Sequence, residues 1–241
     1  AKKAQVKVYL GAPVSKEQAV QVALSNGQSA VLKIPSGKQE GSVDIAIKAM
    51  HLWSLEDPYL YGLTMTSGND VVKGYFGMRK ISVVNLPGSK IPYIGLNNKP
   101  IYIQLALDQS YHPTGFYTFP SDQFMKDEIV RSKRIGLNGI RTHIKVDVPR
   151  KLYWADKLGL LVMSDLPNSW GDPDEAMQKE SEYTLHEMIK RDYNHPAIFS
   201  WITFNETWGL FTHKDKKSIY TPETQKWVAS VYHLAKKLDP T

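Results

Sequence analysis

The 241-residue sequence contains no cysteine, so it has no disulfide and no thiolate for nucleophilic or metal chemistry. It also lacks an unbroken run of about 18 apolar residues, which a membrane-spanning helix needs. Its first residues are not followed by the apolar stretch of a signal peptide. We therefore expect no contact with a membrane. The missing cysteine fits a reducing compartment and an exported protein equally, so the compartment stays open.

Long blocks of one charge are missing too, although the formal net charge is +6. The densest basic cluster is Lys-Asp-Lys-Lys at residues 214–217, and no aromatic residues are interleaved with it. Nucleic-acid sites combine clustered cations with aromatic platforms. The pattern favours a solvated loop over a nucleic-acid partner. With 42% apolar and 22% charged residues, the composition is that of a globular protein.

Residues 5–85 contain short runs in which apolar and polar side chains alternate, as they do in half-buried strands. Turn-forming residues separate the runs, and no helical period is present. This spacing is typical of an immunoglobulin-like β-sandwich, which we predict for residues 1–87. The group Trp53, Tyr59 and Tyr61 fits core packing better than a sugar platform. The runs cover residues 6–10, 20–24, 30–34, 43–47, 61–65, 71–76 and 81–84.

After Pro-Gly-Ser at residues 87–89 the pattern changes, and predicted strands alternate with predicted helices. Ser121 is placed to cap a helix that Gly136 ends, and Pro149 is placed to open one that Gly159 closes. Strand–helix alternation predicts a parallel sheet over residues 88–241. The predicted strands are residues 100–107, 139–143, 160–163 and 198–204, and further helices are predicted at 175–193 and 221–238.

Polar side chains follow each predicted strand of this second half. In parallel α/β sheets, and above all in (β/α)8 barrels, functional groups lie at the carboxyl ends of the strands. Four polar strand ends along one rim predict a site for a polar substrate. We expect no cofactor, and no metal, because the carboxylates and the histidine lack the local spacing of ligand pairs. The strand-end residues are Asp108, Arg141, His143, Asp165, Asn205 and Glu206.

Two tryptophans, Trp170 and Trp208, fall in predicted loops near these strand ends. Indole rings in a sugar site stack on the apolar face of a pyranose. Loop packing explains them equally well, so both interpretations stay open.

Four segments resemble glycoside hydrolase family 2, the family of β-galactosidases, β-glucuronidases and β-mannosidases. They stand in the family's order and together cover nearly the whole chain. The last of them contains Arg-Asp-x-Asn-His-Pro-x-Ile, a strand, and then Asn-Glu, with a tryptophan two residues beyond. The four segments are residues 52–61 (LWSLEDPYLY), 76–81 (FGMRKI), 96–101 (LNNKPI) and 191–206 (RDYNHPAIFSWITFNE).

The resemblance implies a sandwich followed by the N-terminal half of a (β/α)8 TIM barrel, belonging to a retaining β-glycosidase that removes terminal β-linked sugars. Glu206 matches the family's general acid/base, and Asn205 matches the residue that binds the sugar 2-hydroxyl. A carbohydrate is the expected partner. Arg141, His143, Asp165, Trp208 and Asp108 are expected to shape the pocket.

The chain also departs from the family. The galactosidases carry Arg-Gly-x-Asn after the first barrel strand, where this sequence has Leu-Asp-Gln at residues 107–109, and their Asp-Glu after the third strand is Ser-Asp at 164–165. The choice of sugar therefore stays open.

The resemblance places the nucleophilic glutamate on a later strand than any present here. We therefore expect a central fragment of a longer enzyme, inactive alone and prone to associate into homo-oligomers through open sheet edges. A non-catalytic carbohydrate-binding or scaffold module of the same shape is the alternative. A basic nucleic-acid binder is the weakest interpretation.

Overall fold

The computed structural model describes residues 2–109 and 111–241. The chain divides into two compact units. The first runs up to Trp53 and continues with Tyr59–Met78, and the second contains Ser54–Pro58 and Arg79–Thr241. No helix in these described residues is long and apolar enough to cross a membrane.

The first unit is built from antiparallel strands in two sheets, one of order β3-β2-β5-β6 and one that pairs β1 with β4. Alternate residues of β2, namely Val20, Val22 and Leu24, are buried in one core. The predicted alternation is confirmed for β1 to β4, whereas burial does not alternate along β5 and β6. The predicted β-sandwich is confirmed. The strands are β1 Lys3–Tyr9, β2 Gln18–Leu24, β3 Ser29–Ile34, β4 Glu40–Ala46, β5 Tyr61–Ser67 and β6 Asp70–Phe76.

The second unit opens with a three-stranded antiparallel sheet of β7 Ile81–Asn85, β8 Pro92–Leu96 and β9 Lys99–Pro100. The two-residue turn between β8 and β9 is Asn97-Asn98, with φ of 54° and 65°. Asparagine tolerates this left-handed backbone, which two-residue hairpin turns require. The division of the sequence at residue 87 stays a prediction.

Four parallel strands follow, in the order β10-β11-β12-β13. Helices alternate with them, so the predicted half of a (β/α)8 barrel is confirmed. The strands are β10 Leu105–Asp108, β11 Gly139–Thr142, β12 Leu161–Asp165 and β13 Ile198–Ile202. The helices are α1 Asp122–Arg134, α2 Pro149–Leu158, α3 Glu175–Asp192 and α4 Pro222–Leu238, with a hairpin of β14 Thr212–Lys214 and β15 Lys217–Ile219 before α4.

The helix ends use the predicted chemistry. Ser121 accepts a hydrogen bond from the Phe124 backbone N–H and starts α1, and Pro149 occupies the first turn of α2. Gly159 ends α2 at a φ of 73°. A Cβ at Gly159 would lie 2.4 Å from the Leu55 carbonyl oxygen, so both the turn and the close packing need glycine there.

The first barrel strand was predicted over residues 100–107, and this is wrong, because β10 covers only Leu105–Asp108. The side chain of Asn138 replaces strand pairing just before it. Its Oδ1 accepts from the Gln104 N–H at 2.7 Å, and its Nδ2 donates to the Tyr102 carbonyl at 2.6 Å. The Gln104 N–H and the Tyr102 carbonyl are therefore bonded to one side chain instead of to a neighbouring strand.

One further expectation needs correction. The strand at residues 198–204 was expected to be buried on both faces, but β13 ends at Ile202, and of its residues only Ile198 is buried. The reason is that β13 is an outer strand of the described sheet. The basic cluster at 214–217 is the exposed turn of the β14–β15 hairpin, as expected for a solvated loop.

The turn that leads into β13 is held by the buried carboxylate of Asp156 and by the half-buried side chains of His195 and Arg79. The Asp156 carboxylate contacts His195 Nδ1 at 2.5 Å and accepts from the Ala197 N–H at 2.9 Å. Arg79 donates to the Ile198 carbonyl at 2.7 Å. Burial lowers the pKa of the Arg79 guanidinium. These contacts fix where β13 begins.

Helix α2 carries a buried lysine beside the end of β10. The Lys151 ammonium forms an ion pair with Asp108 and lies 3.4 Å from Glu128 Oε2 and 3.6 Å from Asp147 Oδ2. Burial opposes its charge, but the three carboxylates outweigh burial and raise the pKa of Lys151 above its usual value. The lysine therefore stays charged at neutral pH, and its stabilising contribution is lost only as the pH rises beyond the usual lysine range.

We predict that Lys151→Met lowers the free energy of unfolding by about 3–5 kcal/mol, because it removes the buried cation that pairs with the buried Asp147 and the half-buried Asp108 and Glu128. Lys157→Met, on the exposed side of the same helix, should change it by less than about 0.5 kcal/mol. Urea denaturation of both variants at pH 7 measures the difference. Equal effects would show that the buried charges are not coupled as described.

Candidate active site

Three strand-end residues form one hydrogen-bonded network. Arg141 on β11 donates to both carboxylate oxygens of Asp165 at the end of β12, at 3.0 Å from Nε to Oδ1 and 2.8 Å from Nη2 to Oδ2. Its Nη2 also donates to Asn205 Oδ1 at 2.7 Å. Asp165 is fully buried and accepts a further bond from the Ile144 N–H at 3.1 Å. Such fork-to-carboxylate pairs combine strength with fixed geometry.

This network sets the orientation of the Asn205 amide. Because Arg141 can only donate, the amide oxygen must face the guanidinium. The amide nitrogen, with two N–H groups, is then left for a ligand. The Asn205 backbone N–H donates to Asn168 Oδ1 at 3.2 Å, which ties the residue to the loop after β12.

Glu206 follows in a left-handed backbone conformation, with φ of 54°. This region is uncommon for residues other than glycine and is held only when the surroundings enforce it. The side chain is exposed, and its Oε2 accepts a hydrogen bond from Trp208 Nε1 at 2.9 Å. The Trp208 ring packs on Trp170, with ring centroids 4.5 Å apart. The two indoles are 46% and 74% exposed.

The described contacts of His143 and Asp108 are with residues outside the network of Arg141, Asp165 and Asn205. Gln109 Nε2 lies 3.0 Å from His143 Nδ1, and Asp108 forms the ion pair with buried Lys151. The His143 backbone N–H donates to the Asp108 carbonyl at 2.8 Å. These bonds explain how the loop after β10 is attached to β11. The assignment of both residues to a substrate stays a prediction.

Sequence reasoning missed Asn168 and Lys151. Asn168 lies three residues beyond Asp165, and an amide so close to a strand end was a usable signal. Lys151 precedes Ala155 by four residues and so lies on the buried face of α2. We did not predict its burial, because a lysine is buried only when it is paired, and its partner Asp108 lies 43 residues earlier in the sequence. No group of three potential metal ligands is present within residues 2–109 and 111–241.

The chain therefore combines a β-sandwich with parallel β/α units whose strand ends carry an amide, a carboxylate and an ion pair. This is the architecture of a β/α-barrel enzyme, in which functional groups lie at the carboxyl ends of the strands. The model of the glycosyl hydrolases family 2 TIM barrel domain matches residues 90–241, and the model named glycosyl hydrolases family 2 matches residues 1–79. The chain belongs to glycosyl hydrolases family 2.

Two curated relatives illustrate the similarity. A β-galactosidase from Thermoanaerobacterium thermosulfurigenes is 31% identical over an alignment of 170 residues that covers 67% of this chain and 22% of the relative. A β-glucuronidase from Streptococcus agalactiae serotype V is 26% identical over an alignment of 184 residues that covers 65% of this chain and 29% of the relative. The chain thus matches between about a fifth and a third of the length of these proteins.

Solved structures agree on the fold. A family 2 β-galacturonidase from Eisenbergiella tayi, bound to galacturonate, has a TM-score of 0.80 at 23% identity, covering 99% of this chain and 41% of that one. Bacteroides uniformis β-glucuronidase 3 has a TM-score of 0.79 at 22% identity, covering 100% and 30%.

We predict that Asp165→Asn lowers the free energy of unfolding by about 1.5–3 kcal/mol, because an amide cannot accept both guanidinium bonds and carries no charge for Arg141. Asp172→Asn serves as the control, since Asp172 pairs with His213 on the surface. The stability of Asp172→Asn should stay close to that of the parent, because an exposed ion pair contributes little. Chemical denaturation of the two variants decides the matter, and an Asp165→Asn protein as stable as the parent contradicts the prediction.

Proposed function

We propose that this chain supplies the general acid/base, Glu206, to a retaining β-glycosidase that hydrolyses terminal β-linked sugars. The observation that carries the proposal is the exposed Glu206 carboxylate beside an Asn205 amide whose orientation Arg141 fixes. A proton donor next to a fixed N–H donor suits a sugar ring with a leaving oxygen on one side and a 2-hydroxyl on the other.

Retaining hydrolysis takes place in two steps and needs two carboxyl groups about 5–5.5 Å apart. In the first step Glu206 gives its proton to the leaving oxygen while a second carboxylate attacks the anomeric carbon. In the second step the ionised Glu206 removes a proton from water, which hydrolyses the glycosyl intermediate. The Asn205 amide donates a hydrogen bond to the 2-hydroxyl oxygen in both steps.

The remaining predicted residues divide by their contacts. Arg141, held by Asp165, fixes the orientation of the Asn205 amide. Both residues would therefore affect sugar binding indirectly, through that amide. Trp208 offers a ring face beside Glu206. His143 and Asp108 would line the β10–β11 side of the pocket. β-Galactosides are the first substrates to test, because the relative with 31% identity is a β-galactosidase, and β-glucuronides and β-galacturonides follow from the other relatives.

We infer that the 241-residue chain alone does not turn over a glycoside. Its other strand-end carboxylates, Asp108 and Asp165, already form ion pairs with Lys151 and Arg141. An ion-paired carboxylate is a poor nucleophile because attack must first break the pair. The open sheet edges of β10 and β13 should also favour association of copies.

We predict no hydrolysis of p-nitrophenyl β-galactoside or β-glucuronide above a mock preparation by the purified chain. The measurement is release of p-nitrophenol over a day, with Glu206→Gln as the matched control. Turnover that Glu206→Gln abolishes would contradict this inference and point to Asp108 or Asp165 as the nucleophile.

In an enzyme that joins this chain to the rest of a family 2 barrel, Glu206→Ala should slow glycosides with poor leaving groups by about 10²–10⁴. Aryl glycosides of acidic phenols should lose far less in the first step, because they need no proton. Azide should accelerate the variant and not the parent, since azide attacks the intermediate without losing a proton. The measurement is steady-state kinetics across leaving groups of graded acidity, with and without azide.

The same kinetics test the alternative. A carbohydrate-binding or scaffold module is favoured by the exposed Trp170 and Trp208 pair. Such a module would bind sugars with no turnover in any longer form, and Glu206→Ala would change binding alone. Equal losses for all leaving groups and no azide effect would assign Glu206 to binding.

A further inference from the structure

The acid/base candidate has one described hydrogen-bond partner among its neighbours, and that partner is a tryptophan two residues further along. Trp208 Nε1 donates to Glu206 Oε2 at 2.9 Å. The contact is made within a turn that spans residues 206–210, and it depends on the left-handed backbone at Glu206. Strained backbone of this kind persists where surrounding contacts enforce it and often marks functional sites.

We propose that Trp208 is a positioning residue for Glu206. Its N–H holds one carboxylate oxygen, Oε2, so that the other oxygen, Oε1, carries the proton that is given and taken. This proposal rests on the proposed role of Glu206 as general acid/base.

Trp208 is itself held by the loop after β12. Its ring packs on Trp170, and its carbonyl accepts a hydrogen bond from Asn168 Nδ2 at 3.4 Å. The next residue, Gly209, has a φ of 72°, and a Cβ there would lie 2.9 Å from the Ser169 carbonyl oxygen. Glycine thus allows the two loops to touch, and this contact fixes the indole.

The choice of an indole suits a group that must change its protonation state twice in each cycle. An exposed glutamate samples many rotamers, and fixing it costs side-chain entropy. An indole N–H can only donate and carries no charge. It therefore binds Oε2 whether Glu206 is protonated or ionised, whereas a lysine or arginine at this place would favour the ionised form.

Nuclear magnetic resonance of the 241-residue chain tests the contact without any activity. The indole ¹H–¹⁵N signal of Trp208, assigned by its loss in Trp208→Phe, should shift with pH as Glu206 gains its proton. In Glu206→Gln the signal should no longer follow that step. Trp227 is the control, because its Nε1 donates to Glu182 at 2.9 Å, and its signal should be the same in both proteins. A Trp208 signal that ignores Glu206→Gln overturns the proposal.

Kinetics of the barrel-complete enzyme test the positioning role. Trp208→Phe keeps the ring and removes the donor, so it should slow glycosides with poor leaving groups about tenfold more than activated aryl glycosides, the size expected for one hydrogen bond to a charged group. The loss should lie in kcat rather than KM. Trp154→Phe is the matched control, because it removes an indole–carboxylate bond to Asp122 on the surface, and it should affect all substrates equally, within about twofold.

The outcomes separate this proposal from the one on which it rests. If Glu206→Ala shows leaving-group dependence and Trp208→Phe slows every substrate equally, Trp208 has only a structural role and the positioning proposal fails alone. If Glu206→Ala shows no leaving-group dependence, both proposals fail. Selective loss in both variants supports both. The Trp154 and Trp227 indole signals show whether each variant is folded.

Discussion

The arrangement of this site depends on one buried carboxylate. Asp165 is fully buried and accepts three hydrogen bonds from the Arg141 side chain and one from the Ile144 N–H. A buried charge is tolerated only when it is paired and hydrogen-bonded. Asp165 therefore fixes the position of the Arg141 guanidinium, and the guanidinium in turn orients the Asn205 amide. Three neighbouring strands are thus joined at the end where the candidate acid/base lies.

The two ends of β13 are fixed by different means. At its start, Asp156 and Arg79 bind the turn around His195 and the first strand residue. Beyond its end, Arg141 holds Asn205. A strand held at both ends gives the following turn a defined starting point, and this supports the left-handed backbone at Glu206. Catalytic groups need such support, because errors of about 1 Å lower rates by roughly a hundredfold.

Local chemistry explains what could be predicted from the sequence. Alternation revealed the sandwich strands, caps at Ser121 and Pro149 revealed helices, and the polar strand ends indicated the rim of the site. Contacts distant in sequence could not be read in this way. The Asn138 side chain that shortens the first barrel strand and the burial of Lys151 both depend on partners about 30 to 45 residues away. The hydrogen bond from Trp208 to Glu206 joins residues only two positions apart. It depends on the left-handed backbone at Glu206, which the sequence pattern does not indicate.

The most direct measurement is amide hydrogen exchange in the parent chain and in Arg141→Lys. Lysine keeps the charge but lacks the planar fork that reaches Asp165 and Asn205 together. If this network holds the site, the backbone N–H groups of Ile144 and Asn205 should exchange faster in the variant, while those of α4 and the sandwich strands stay unchanged. Unchanged protection of Ile144 and Asn205 would contradict the account.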